Sequence, residues 1–475
     1  MNLANKYTNL LASLMLLCLC ANAQSTSYKT LSVGEFMNAV KLYHPVAKQS
    51  NLITAQAREE LNIARGGWDP LIYSDYNNKT YNGTNYYSYF ENSIKIPTWY
   101  GVEVKAGYDF VYGSKLNPES VLPDDGLGYL GLSVALGKNL VLDKRRALLK
   151  QAQIFKTASE QQRIIILNDL LLEAVATYYD WSYSYYELEI YKAALTNATQ
   201  RFEATKKLVE FGDRPTIDTT EAFTQVQTRQ LQLNDAQLKF NNKSLELGVF
   251  LWLENDVPRP IDTTIIPSAL ESDYVQQTIE LNKAEEFETR IRQSHPQLLF
   301  YKFKLQQLDI ERRLKIENLK PTFNVNYNLL SQKFNFQSES GPIFTNAYKL
   351  GVNFSMPLTF AQGRGELKLA KIKIQDTRYE LNLKTEQLIV KMKTYFNELI
   401  NLQAQTRLYE AAIDNWQRLA DGEYKRFNNG ESSMFIVNAR ENKLIESQLK
   451  LRELQAKFYK TEATLKWAIG NIGIQ

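Results

Sequence analysis

The second half of this chain restates the first at fixed offsets. His44-Pro45 is followed 25 residues later by Pro70, and His295-Pro296 is followed 25 residues later by Pro321. Gly212, Val226, Leu233, Phe240 and Leu247 recur as Gly430, Leu444, Leu451, Phe458 and Leu465, every pair separated by 218 residues. Gly131-Leu132-Ser133-Val134 matches Gly351-Val352-Asn353-Phe354, and each leads into a basic segment, Lys144-Arg145-Arg146 or Arg364. A chain of 475 residues built this way must be read as two copies of one plan. The copies differ in length, since Pro45 to Gly131 is 86 residues and Pro296 to Gly351 is 55. The first copy therefore carries about 31 extra residues before Gly131.

Residues Asn255 to Tyr274 contain Pro258, Pro260 and Pro267, which interrupt any helix. This places the first copy at 24–254, a linking segment at 255–283 and the second copy at 284–475. Residues 1–23 read as a secretory signal, with Lys6, the apolar run Leu10 to Leu19 and Ala21-Asn22-Ala23 at the cleavage positions. That run is too short to span the hydrocarbon of a bilayer. Cys18 and Cys20 fall inside it, so no disulfide framework is expected in the mature chain, and the bulky Leu17 and Leu19 before them disfavour lipidation.

Between these landmarks the text alternates between two periods. Proline-free stretches run from about Asn139 to Phe211, from Arg364 to Phe427 and from Glu431 to Ile469, and a fourth, from Asp213 to Leu253, is interrupted only at its start by Pro215. A helix of roughly 70 residues is about 105 Å long and needs partners along its length. The seven-residue spacing of Val226, Leu233, Phe240 and Leu247, and of their counterparts, supplies a coiled-coil seam. Gly212 and Gly430 stand where each pair of long helices must turn. Ser32-Val33-Gly34-Glu35 reads as a capping box that starts the first helix.

The second period is two. Phe323, Val325, Tyr327 and Leu329 alternate with asparagines, Tyr348 to Met356 alternates with Lys349, Gly351, Asn353 and Ser355, and Tyr100 to Tyr112 behaves likewise. Such segments suit half-buried strands, or barrel strands with lipid on one side and water on the other. Two strands per copy make four, or up to six if the extra segment from Tyr86 to Tyr112 adds a pair. Membrane barrels need about eight or more. One chain cannot close, and an open edge in lipid leaves backbone groups unpaired, so a barrel requires several copies. Three chains of four strands would make twelve. The expected class is mixed α and β, mainly α: long coiled-coil hairpins forming an α-barrel, with strands contributed to a shared transmembrane β-barrel.

Catalytic and cofactor chemistry is not indicated. The net charge of +4 comes from 56 basic and 52 acidic residues, too balanced for a nucleic-acid footprint. The two histidines, His44 and His295, precede proline at equivalent places, which suits helix entry better than metal binding. No phosphate-cradling glycine loop, HExxH or GxSxG occurs.

Taken in this duplicated order, the X-Pro helix entries, the strand-to-helix passages Val134 to Arg146 and Phe354 to Arg364, and the tip segments Phe211 to Asp218 and Arg426 to Gly430 make the chain similar to the TolC-type outer-membrane efflux family. The resemblance covers nearly all of the mature chain. It implies a homotrimer in outer-membrane lipid with its helical barrel in the periplasm. It implies a passive duct for tripartite efflux or type I secretion, served by a periplasmic adaptor protein and an inner-membrane transporter of RND or ABC type. It also implies adaptor docking at the tips, Gly212 and Asp213 in one and Gly430 and Glu431 in the other. Family members often carry gate carboxylates six and nine positions after the tip glycine. The first copy has Asp218 and Glu221 there, whereas the second has Ile436 and Ala439. Phe427 stands where some members place a hydrogen-bonding tyrosine. The rival reading is a secreted coiled-coil stalk protein without channel activity. The exported substrate is left open, since in this architecture it is selected mainly by the pump.

Overall fold

A proline opens a helix at the same place in both copies. In the computed structural model, which describes residues 29–261, 264–269, 283–332, 347–470 and 472, α1 (Val33–Tyr43) passes to α2 (Pro45–Arg65) through His44. In the second copy α5 (Lys283–Ser294) passes to α6 (Pro296–Glu317) through His295. Proline suits the first helical position, where its missing N–H would have had no partner in any case. Each histidine caps the helix it precedes: Nδ1 of His44 accepts the N–H of Val46 and Nδ1 of His295 accepts that of Gln297, both at 3.2 Å. Both rings are buried, and burial pushes the pKa of His44 down, in keeping with a neutral ring whose Nδ1 accepts. The capping box at Ser32 and Glu35 is formed in both directions, at 3.0 and 3.2 Å.

The long helices match in pairs. They are α3 (Lys144–Glu210, 67 residues) with α4 (Thr216–Gly248, 33 residues), and α7 (Ala361–Asn428, 68 residues) with α8 (Met434–Ala468, 35 residues). Each of the longer two rises by about 100 Å. Phe240, Leu247, Leu444, Phe458 and Leu465 of the expected seam are buried, and Val226, Leu233 and Leu451 are half-buried. A second column at the same spacing, Ala222, Arg229 and Ala236, is buried beside it on α4. Two columns widen the stripe so that one helix can pack on more than one neighbour. Trp181, fully buried, anchors α3 to α4: its Nε1 donates to Ser244 Oγ at 3.0 Å, and its ring stacks on Phe240 at 6.3 Å.

The chain divides into two compact units, and each draws on both copies of the repeat. One comprises Met1–Lys48, Leu167–Glu288 and Val390–Gln475. It holds β1 (Lys29–Leu31) and β6 (Ile265–Pro267), paired in parallel, with the Tyr178 hydroxyl donating to the Leu31 carbonyl at 2.7 Å. The expected linking segment thus contributes a strand. The expected signal at 1–23, with Cys18 and Cys20, and residues 270–282 of the expected linker lie outside the described residues.

The other unit, Gln49–Ile166 and Thr289–Ile389, contains a single antiparallel sheet of six strands in the order β2-β3-β4-β5-β7-β8. These are β2 (Leu71–Tyr81), β3 (Thr84–Pro97), β4 (Val102–Tyr112), β5 (Leu127–Ala135), β7 (Thr322–Ser331) and β8 (Tyr348–Ser355). The extra residues of the first copy supply the β2–β3 hairpin, closed by a two-residue turn at Asn82-Gly83 with positive φ at both positions. Directly opposed residues share a face. Ile72, Ile94, Ala106, Leu130, Leu329 and Tyr348 oppose one another in succession across all six strands. One residue further, on the opposite face, the row reads Leu71, Lys95, Lys105, Gly131, Asn328 and Lys349. The same alternation sets Val325 against Val352 on the first face and Asn324 against Asn353 on the second. The apolar face is bare: Ile72, Leu132, Val352 and Phe354 are all exposed. Among the described residues no helix is long and apolar enough to cross a membrane.

Candidate functional site: the helix-hairpin tips

Both hairpins turn through the same backbone device. At the end of α3, the N–H of Gly212 reaches the Val209 carbonyl at 3.0 Å and that of Asp213 reaches Leu208 at 2.9 Å. At the end of α7, Gly430 reaches Phe427 at 3.0 Å and Glu431 reaches Arg426 at 2.9 Å. This is the Schellman pattern, which satisfies the last carbonyls of a helix and requires a left-handed residue between the two bonds. Gly212 and Gly430 occupy that place with φ of +80° and +81°. The tips present large apolar side chains to solvent: Phe211 is 79 % exposed, Ile217 67 % and Phe435 70 %. Asp213 and Glu431 are exposed beside them.

The expected gate residues fall in three different settings. Asp218 is half-buried at the third position of α4, where the helix dipole favours a carboxylate. Glu221, one turn on, accepts a hydrogen bond from Asn438 Nδ2 on α8 at 3.2 Å. The structure therefore brings a first-copy carboxylate to a buried second-copy amide within one chain. Phe427 is a packing residue of the tip, 2 % exposed and clustered with Ala222, Met434 and Val437. The Arg214 guanidinium lies 4.3 Å from the centre of its ring and also donates to its carbonyl oxygen, tying the first tip to the last turn of α7.

Further up the same hairpins lies a polar cluster not expected from the sequence. Arg201 of α3 pairs with Glu441 of α8. Arg229 of α4, 3 % exposed, lies 3.7 Å from the same carboxylate and also bonds Asn442 Oδ1 and, at 2.8 Å, Gln232. Burial pushes the pKa of Arg229 down, while Glu441 pulls it back up. Ala222 and Ala236, one heptad before and after, are small enough to let the guanidinium enter the seam. That pair of alanines flanking an arginine is the only local sign of it. Among the described residues, no three histidine, cysteine or acidic side chains are grouped to hold a metal ion.

Residues 289–471, which span α6, β7, β8, α7 and α8, match the family described as "OEP: Outer membrane efflux protein". No curated protein matches the chain significantly. Solved structures with the same fold include the CmeC outer membrane channel of Campylobacter jejuni, 14 % identical with a TM-score of 0.64, covering 93 % of this chain and 86 % of that one. VceC of Vibrio cholerae is 14 % identical with a TM-score of 0.65 over 93 % of this chain and 97 % of its own. The open state of the MtrE outer membrane channel of Neisseria gonorrhoeae is 13 % identical with a TM-score of 0.66 over 94 % and 91 %. At such identities the likeness establishes the fold alone, long helical hairpins joined to an antiparallel partial-barrel sheet. Residues 289–471, nearly the whole of the second copy, match the outer membrane efflux protein family, and the chain as a whole shares the fold of solved outer membrane channels.

Proposed function

We propose that the protein works as a homotrimeric passive duct in outer-membrane lipid, docked at its tips to a periplasmic adaptor protein and energised by an inner-membrane transporter of the RND or ABC type. The observation that carries this reading is the sheet. Its apolar face suits lipid, its lysine- and asparagine-bearing face suits a water-filled lumen, and its two outer strands, β2 and β8, end in open edges. An open edge in hydrocarbon leaves several backbone groups unpaired, so one copy alone is not a membrane structure. Trimer mass and discrete conductance steps from protein extracted from outer membranes in mild detergent are the expected result. A water-soluble monomer without conductance would sink the duct and leave a secreted coiled-coil stalk.

In the same reading Phe211, Ile217 and Phe435 give the adaptor apolar contacts at the tips around Gly212-Asp213 and Gly430-Glu431. Asp218 and Glu221 from three copies would ring the periplasmic opening with carboxylates and favour cations, while Phe427 holds the tip that carries them. The double substitution Asp218→Asn with Glu221→Gln is expected to lower cation-over-anion selectivity in single-channel recordings. Unchanged selectivity would remove these two residues from the gate.

A further inference from the structure

We infer that the transmembrane wall is an eighteen-stranded barrel, six strands from each of three copies, closed by pairing β8 of one copy with β2 of the next. The inference rests on the homotrimer proposed above and goes beyond it by fixing which strands meet and how wide the pore is.

Three observations carry it. First, the added hairpin of the first copy is a full part of the ladder. β2 and β3 pair from Leu71 opposite Lys95 to Tyr81 opposite Thr84, with one irregularity at Lys79/Thr80, and β3 and β4 pair from Pro97 opposite Glu103 to Ser88 opposite Tyr112. β2 and β4 have 11 residues each, the length a tilted strand needs to cross the hydrocarbon. Second, the two faces of the sheet continue through the hairpin as far as the irregularity at Lys79/Thr80. Ile72, Tyr76, Phe90, Ile94 and Ile96 extend the apolar face, where Ser74 and Asn92, and Asn78 and Ser88, bond to each other, and Asp75, Glu91 and Lys95 extend the polar one. A hairpin folded outside the wall would have no reason to keep that parity, because a slip of one residue turns every side chain to the other side.

Third, the two free edges are matched to each other. All neighbours in the sheet are antiparallel and the strand number is even, so β2 and β8 run in opposite directions. Joining β8 of one copy to β2 of another continues the antiparallel order around the ring. Neither strand contains a proline, and the charges they carry, Asp75 and Lys79 on β2 and Lys349 on β8, leave every backbone N–H in place for pairing. At ~4.8 Å between strands and a tilt of ~40°, eighteen strands enclose a backbone diameter of ~36 Å, against ~24 Å for twelve. Barrels of 16–18 strands keep an aqueous channel through their interior.

Cysteine cross-linking of the full-length trimer in outer membranes tests the closure. Leu350→Cys on β8 is combined in turn with Ile72→Cys, Ser74→Cys, Tyr76→Cys and Asn78→Cys on β2, all on the same face, and with Tyr73→Cys and Asp75→Cys on the other. Oxidation is expected to give covalent trimers for at least one pair of the first set and for neither of the second. Trimers linked instead through Val102→Cys, Val104→Cys or Ala106→Cys on β4 would overturn the inference in favour of a twelve-stranded wall with β2–β3 outside it. Failure of every pair in a protein of trimer mass would overturn it as well. Loss of the trimer mass in the unsubstituted protein would instead refute the homotrimer on which it rests. Strand counting by electron microscopy of the unsubstituted trimer gives an answer that depends on no variant: eighteen is expected, and twelve overturns the proposal.

Discussion

Replacing Glu441 by glutamine should destabilise the helical unit far more than neutralising any surface carboxylate. The side chains of Arg201, Arg229 and Glu441 are only 13 %, 3 % and 12 % exposed, so solvent screens them weakly. At the 3.7 Å between Arg229 and Glu441, an effective dielectric of about 20 makes the gross attraction about 4–5 kcal/mol. Glu441→Gln keeps the shape of the side chain and removes its charge, leaving two guanidiniums near each other with no anion between them. Removing one member of a buried ion pair costs about 3–5 kcal/mol. A body of roughly 250 residues loses about 2 °C of melting temperature per kcal/mol, so a fall of about 6–10 °C is expected. Circular dichroism at 222 nm in detergent, at one scan rate, reads it. The control is Glu453→Gln, which breaks the exposed pair with Lys450 on the same helix and should move the melt by about 2 °C at most. A Glu441→Gln shift no larger than the control would refute the argument that this cluster is buried and charged in the folded protein.

Gly212→Ala and Gly430→Ala should each cost about 1–2 kcal/mol, because a side chain at φ near +80° is strained although nothing within 4 Å would touch the new methyl; asparagine at either place should cost less, which denaturant titration would show. Stability should also fall with acid through His44. Its folded pKa lies below the ordinary 6.5, so below about pH 6.5 the unfolded chain binds the proton more readily and the folded state loses ground as pH drops toward the folded pKa. Melting curves from pH 8 to pH 5 should steepen in the wild type over that window relative to His44→Gln, and parallel curves would contradict the buried, accepting imidazole.

Much of the fold could be read because it is written in short periods. The paired His-Pro entries, the heptad positions such as Phe240 and Phe458, and the alternation from Phe323 to Leu329 depend on neighbours within a few residues, and they stand in the structure where the sequence placed them. The tip glycines belong to the same class, since a left-handed helix end is a local demand. Arg229 illustrates the opposite case. An arginine in a polar helix reads as solvated, and its burial becomes visible only when Glu441 and Asn442, more than two hundred residues away, are brought against it. Phe427 was expected at a gate by analogy of position, yet its surroundings are set by Ala222, Met434 and Arg214, which no local pattern joins to it.

The sheet divides in the same way. Local pattern alone establishes that there are two copies, that the strands have one apolar face, that the helices must pair along their length and that the first copy is longer. The folded chain alone reveals that the additional residues pair edge to edge with β4 to make six strands, that the linking segment lends β6 to β1, and which charges are enclosed between the hairpins. Side-chain period and turn chemistry act over one or two turns of chain. Strand order and buried ion pairs depend on which distant surfaces meet, and that is settled by the sum of many contacts rather than by any local one.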